Sequence, residues 1–180
     1  DISDFQIEGI SIGDSALNYF NENEIKKQIQ DNNYMYDYLE KEKFGEIYIY
    51  KGLKTYDYLS FMVDLNNSSY PINRIAGHIS LIEDIEGCRK KRDVIINDLE
   101  NLFKNLTKTS EIESHPVDPS GESIQDANVF WFSSGSNLYG DIIAIECNDF
   151  EERIRKKNNW GEGLSIVAMT KEINDWFNNF

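Results

Sequence analysis

Residues 44–51 read FGEIYIYK, residues 55–64 TYDYLSFMVD and residues 72–82 INRIAGHISLI. All three are rich in β-branched and aromatic residues. The middle one alternates, with Leu59, Phe61 and Val63 on one side and Tyr58, Ser60 and Met62 on the other. The separators are the turn Lys51-Gly52-Leu53-Lys54 and the loop NNSSYP at 66–71. A parallel crossover needs roughly a dozen residues or more, so the block reads as an antiparallel meander. Its third strand is expected to bulge at Gly77.

Upstream, Phe5 to Ile12 alternates about Gly9 and reads as a short extended segment. Gly13 ends it, and Asp14 or Ser15 caps a short helix over Ala16 to Phe20. Asn21 or Asn23 caps a second, Glu24 to Gln30. Downstream, Gly87 to Leu106 is the strongest helical pattern, with Cys88, Ile95, Leu99, Leu102 and Leu106 on one stripe widened by Val94 and Phe103. Thr107 to Asp126 reads as a polar loop. Strands are expected at Asn128–Phe132, Asp141–Cys147 and Leu164–Met169. The charged stretch from Asn148 to Gly163 holds one helical turn, and Thr170 caps a last helix, Lys171–Phe177. The order αα-βββ-α-βββ-α predicts an α+β fold, an antiparallel sheet with helices packed on one face, in a single domain over 1–180. Two βββα halves, 1–106 and 107–180, are possible without any residue-level repeat to mark them.

At 180 residues the chain buries about 70% of its unfolded surface and needs no metal to fold. Eighteen basic against thirty-two acidic residues leave a net charge of −14. That excludes nucleic acid and anionic membrane as main partners and makes any charge-steered protein partner basic. No apolar run reaches the roughly 20 residues of a transmembrane helix. Twenty-three Ile and nineteen Asn against five Ala reflect in part an AT-rich coding bias, so the scattered asparagines are not read as ligands.

The two cysteines, Cys88 and Cys147, allow one pairing. A bridge would close a loop of about 60 residues and stabilise by roughly 4 kcal/mol. The alternative is two buried thiols. Without a CxxC or Cys/His cluster, no structural zinc or other metal site is expected, and no cofactor is implied.

Few residues point to chemistry. Gly13-Asp14-Ser15 is similar to the first block of the GDS-type serine hydrolases, which would make Ser15 the nucleophile. That family also needs Gly-x-Asn-Asp and Asp-x-x-His. Here Gly135-Ser136-Asn137 runs into Leu138, and Ile112 and Ile75 stand three residues before His115 and His78. A helix cap is the simpler role for Ser15, and no catalytic residue is assigned. Asp118, Ser120, Ser123 and Asp126 resemble a calcium loop only in composition. Arg89-Lys90-Lys91-Arg92 opens a helix against its dipole, and either binds an anion, activates Cys88 or is solvated beside Glu83, Asp84 and Glu86. The tyrosines concentrate between Tyr34 and Tyr58. Tyr50 and Tyr58, pointing away from Leu59 and Phe61, are expected to line an exposed binding patch.

Ile7 to Phe20 (IEGISIGDSALNYF), His115-Pro116-x-Asp118-x-Ser120-Gly121, Glu172 to Trp176 (EINDW) and the paired Cys88 and Cys147 resemble a group of short exported proteins from AT-rich marine bacteria. The resemblance implies a mature periplasmic or secreted form after signal-peptide removal, and no activity. A vaguer similarity, over the first eighty residues, is to BamE-like envelope proteins. The expectation is an exported binding module of the cell envelope. Alternatives are a hydrolase using Ser15 and an acidic inhibitor or immunity-type protein that covers a basic partner.

Overall fold

The computed structural model describes residues 1–32, 43–104, 106–115, 118–132, 140–158 and 160–178. The chain opens with a small hairpin, β1 (Gln6–Ile7) and β2 (Ile10–Ser11). Its two turn residues, Glu8 and Gly9, both have positive φ, at 53° and 81°. This is the twist a two-residue hairpin needs. A 3-10 turn at Ala16–Asn18 follows, then α1 (Glu22–Asp31), which Asn21 and Glu24 cap reciprocally.

Seven further strands form one antiparallel sheet. They are β3 (Phe44–Ile49), β4 (Tyr58–Asp64), β5 (Ile72–Ser80), β6 (Thr107–Ser114), β7 (Ile124–Trp131), β8 (Ile142–Asp149) and β9 (Gly163–Met169). Their spatial order is β3-β4-β5-β9-β8-β7-β6. The first meander, β3 to β5, meets the second through β5 and β9, so both halves of the chain build one continuous sheet. The remaining helices are α2 (Ile85–Leu102), α3 (Glu152–Asn158) and α4 (Lys171–Asn178).

The α+β class and the antiparallel meander agree with the sequence reading, and four details are corrected, the first being that the helices do not share one face, since α4 packs on the side of the sheet opposite α2. Thr107–Ser114 is a strand and not a loop, because an outer strand can be polar on both faces. Gly77 pairs regularly with Leu59 and Ile166, and the register shift falls at Met62/Val63. Gly77 instead makes room for Tyr56: a Cβ there would lie 2.6 Å from the ring. The long helix stops at Leu102, with Phe103 as its cap, and Val94 and Leu102, expected on its buried stripe, are exposed. Phe103 packs on the core in their place.

The registers divide the sheet side chains into two faces. Ile47, Phe61, Ile75, Ala168, Ile143 and Phe130 form one row of the first face. That face buries the main core beneath α2, through Cys88, Ile96 and Leu99. A disulfide joins Cys88 on α2 to Cys147 on β8, 59 residues away. Arg89 and Arg92 explain the basic start of α2. Both ion-pair with Asp126, a buried carboxylate on β7. On the opposite face α4 seats Ile173 and Trp176 against Phe44 and Met62 at one corner. No described helix is long and apolar enough to cross a membrane.

The β3 edge is finished by side chains. Gln28 donates to the Tyr48 carbonyl and accepts from the Tyr48 N–H, at 3.3 and 2.8 Å. Asn32 donates to the Glu46 carbonyl at 3.2 Å.

Candidate functional site

The β3–β4 end of the sheet carries an open recess. It is a cleft of about 690 Å³ between the β1–β2 hairpin and the segment that joins β3 to β4. Glu8 fixes its walls. Its carboxylate accepts hydrogen bonds from the N–H groups of Lys54 and Thr55, at 3.0 and 2.7 Å. Those donors hold the Glu8 carboxyl below the usual range. Ile10, Ile49, Leu53 and the rings of Tyr19 and Tyr56 supply apolar surface. The Tyr19 hydroxyl donates to Asp14 at 3.0 Å. Lys51 and Lys54 also line the cleft, and neither has an ion-pair partner among the described residues. A recess of this size, part apolar and part polar, has the dimensions of a small-ligand site.

The tyrosines predicted as a binding surface lie on the other side of the same sheet corner. Tyr50 is 66% exposed and Tyr58 is half-buried. Their ring centroids are 5.9 Å apart, and Tyr48 stacks on Tyr50 at 5.7 Å. Tyr58 in turn stacks on His78 at 4.9 Å. His78 is 4% exposed, and burial pushes its imidazole pKa down. Its Nδ1 sits 3.2 Å from the Ser165 hydroxyl, with the donor set by the ring tautomer. Its Nε2 is buried against Gly161 with no hydrogen-bond partner among the described residues.

Charged groups occupy the interior of this face. Arg74 approaches Glu46 at 3.6 Å and donates to Ser60 at 3.1 Å. Burial raises the carboxyl pKa of Glu46 and of Glu146, and the Arg74 guanidinium offsets part of each rise.

The remaining candidates have structural occupations. Ser15 accepts from the Leu17 N–H at 3.2 Å and donates to the Ser69 carbonyl at 2.5 Å. It is a cap, and neither contact is a base. His115 packs on Phe150 and Trp160, at 4.9 and 5.8 Å. Asp118 accepts from the Ser120 N–H and hydroxyl and from the Ser123 N–H, which holds its carboxyl far below the usual range. Asp118 and Asp126 are thus taken up by amides and guanidinium groups, and the described residues contain no cluster fit to hold a metal. The paired Cys88 is no thiolate for Arg89 to activate. Tyr34, Tyr36, Tyr38, Gly135-Ser136-Asn137 and Pro116 lie outside the described residues.

No protein-family model matches this sequence, and no curated protein or solved structure matches it. Function therefore has to be argued from the site. Sequence reasoning missed the cleft because its walls come from three separated segments, at 8–10, at 19 and at 49–56. The visible trace was the pair Lys51 and Lys54, two cations close together in an acidic chain.

Proposed function

We propose that this protein is an exported binding module of the cell envelope, and that its ligand enters the cleft beside the β1–β2 hairpin. One observation carries the reading: Lys51 and Lys54, with no ion pair within salt-bridge distance among the described residues, line a cleft walled by Ile10, Leu53, Tyr19 and Tyr56 in a chain of net charge −14. Both lysines are exposed, so their charge is solvated, and two cations at the mouth of a partly apolar recess attract an anion whose body fills it. The ligand is thus a small molecule or peptide end with an apolar body and a negative group. The disulfide supports export, since such bridges persist in oxidising compartments. So does the resemblance to short exported proteins.

Titration with an anilinonaphthalene sulfonate dye, which joins an aromatic body to an anion, tests the site. Saturation at one dye per chain is expected, and loss of binding when Lys51→Glu and Lys54→Glu are combined. Undiminished binding by a folded double variant would place the ligand elsewhere.

A further inference from the structure

We propose that β6 is a docking edge, which takes up an extended basic segment of a partner protein as an added strand. This surface is separate from the cleft. β6 is an outer strand of eight residues, and it pairs with β7 without a register break from Thr107↔Trp131 to Ser114↔Ile124. It lacks proline. All its residues but Thr109 are exposed. Proteins usually protect a sheet edge by shortening it, bulging it, placing proline in it or covering it. The β3 edge is covered, through Gln28 and Asn32. Among the described residues β6 carries none of these devices, only the charges of Lys108, Glu111 and Glu113, which leave its main-chain groups open to a strand of opposite charge.

The direction of its main-chain groups follows from one bond. The His115 N–H donates to the Ser123 carbonyl, in line with the β6–β7 register. Bonded and non-bonded pairs alternate along an antiparallel ladder. The groups of Thr107, Thr109, Glu111 and Glu113 therefore face β7, while the N–H and C=O of Lys108, Ser110, Ile112 and Ser114 point outward.

Charge selects the occupant. The one cation of β6, Lys108, is engaged by Glu100. Glu111 and Glu113 share the other face and have no ion-pair partner among the described residues. A second copy would set Glu111 and Glu113 beside their own counterparts, between two chains of −14 each. An extended segment with alternating Lys or Arg places cations beside them, and Ile112, 66% exposed, offers an apolar contact on the opposite side.

The probe is a blocked peptide of four Lys-Val repeats, added to isotope-labelled protein. Slower amide exchange is expected at Lys108, Ser110, Ile112 and Ser114, with binding that weakens as salt is added. Ile112→Pro removes an outward N–H and leaves the β7 ladder intact, so it should weaken binding by about tenfold or more. Combined Glu111→Lys and Glu113→Lys should do the same without touching the backbone. A peptide with proline in place of valine should not protect these amides. Equal affinity of wild type and Ile112→Pro, or protection confined to other residues, overturns the proposal. So does peptide-free self-association that Ile112→Pro abolishes, which would make a second copy the occupant.

Discussion

The two faces of the sheet solve the burial problem by different chemistry. On the first, Phe61, Ile75, Ile143, Ile145 and Leu164 are all buried, and a disulfide fastens the covering helix. On the second, buried Ala76, Ala144 and Val167 sit among Glu46, Arg74, His78 and Glu146. The first face gains stability with every methylene removed from water. The second must balance desolvation against pairing, and such balances are close to zero while complete and costly when broken. A protein with one face of each kind keeps its fold in the first and its sensitivity to charge and pH in the second.

The largest expected effect tests the first face. Combined Cys88→Ala and Cys147→Ala should lose about 4 kcal/mol in urea unfolding, because a 59-residue separation is released in the denatured chain. A loss under about 1 kcal/mol would mean that apolar packing alone seats α2. On the second face, Arg74→Met should cost about 3 kcal/mol at pH 7.5, since it strands buried carboxylates. The cost should shrink towards pH 5. Glu46 and Glu146 have raised pKa values, so the stability they contribute is complete at low pH and is lost as pH rises through their folded values. An unchanged cost at the two pH values would show that neither carboxylate faces the guanidinium.

Gly77→Ala should lose about 2 kcal/mol, through the clash of its methyl with Tyr56 on the first face. Tyr56→Ala in the same chain should recover part of the glycine effect, and simple addition of the two losses would reject the contact. The smallest effect is the histidine titration. His78 has a lowered pKa, so its stability is present above the unfolded value of 6.5 and fades as pH falls through the folded one. His78→Gln should flatten the pH dependence just below pH 6.5. A slope unchanged by the substitution would assign it to His115, which burial also shifts down.

Legibility in the sequence follows the same division. Strands with one apolar side, such as Tyr58–Asp64, announce themselves, because alternation is what burial of one face demands. Cys88 and Cys147 were readable as a possible pair, and the structure makes it a bond. Thr107–Ser114 escaped because both its faces meet solvent. The remaining sign was the β-branched Thr107, Thr109 and Ile112, too thin to outweigh the charges. The second face was half legible: Tyr50 and Tyr58 share the side opposite Leu59, but Arg74 and the buried His78 lie beside β9, through a β5–β9 pairing of strands far apart in sequence. The cleft depends on Glu8 reaching Lys54 and Thr55, a contact across some forty-six residues that no local pattern encodes.

A glutamine amide presents an N–H beside a carbonyl oxygen at about the spacing of a peptide group, so Gln28 closes the β3 side at Tyr48 as a backbone would. Among the described residues the seven-stranded sheet therefore has one finished side, at β3, and one open side, at β6. In polymer terms a sheet with one open edge is monovalent: a strand added at β6 would leave no second open edge among the described strands to extend from. Indefinite cross-strand growth needs two open ends on every subunit. A short helix with two amide side chains removes one of them, so the fold can offer a long reactive edge without becoming the seed of a fibre.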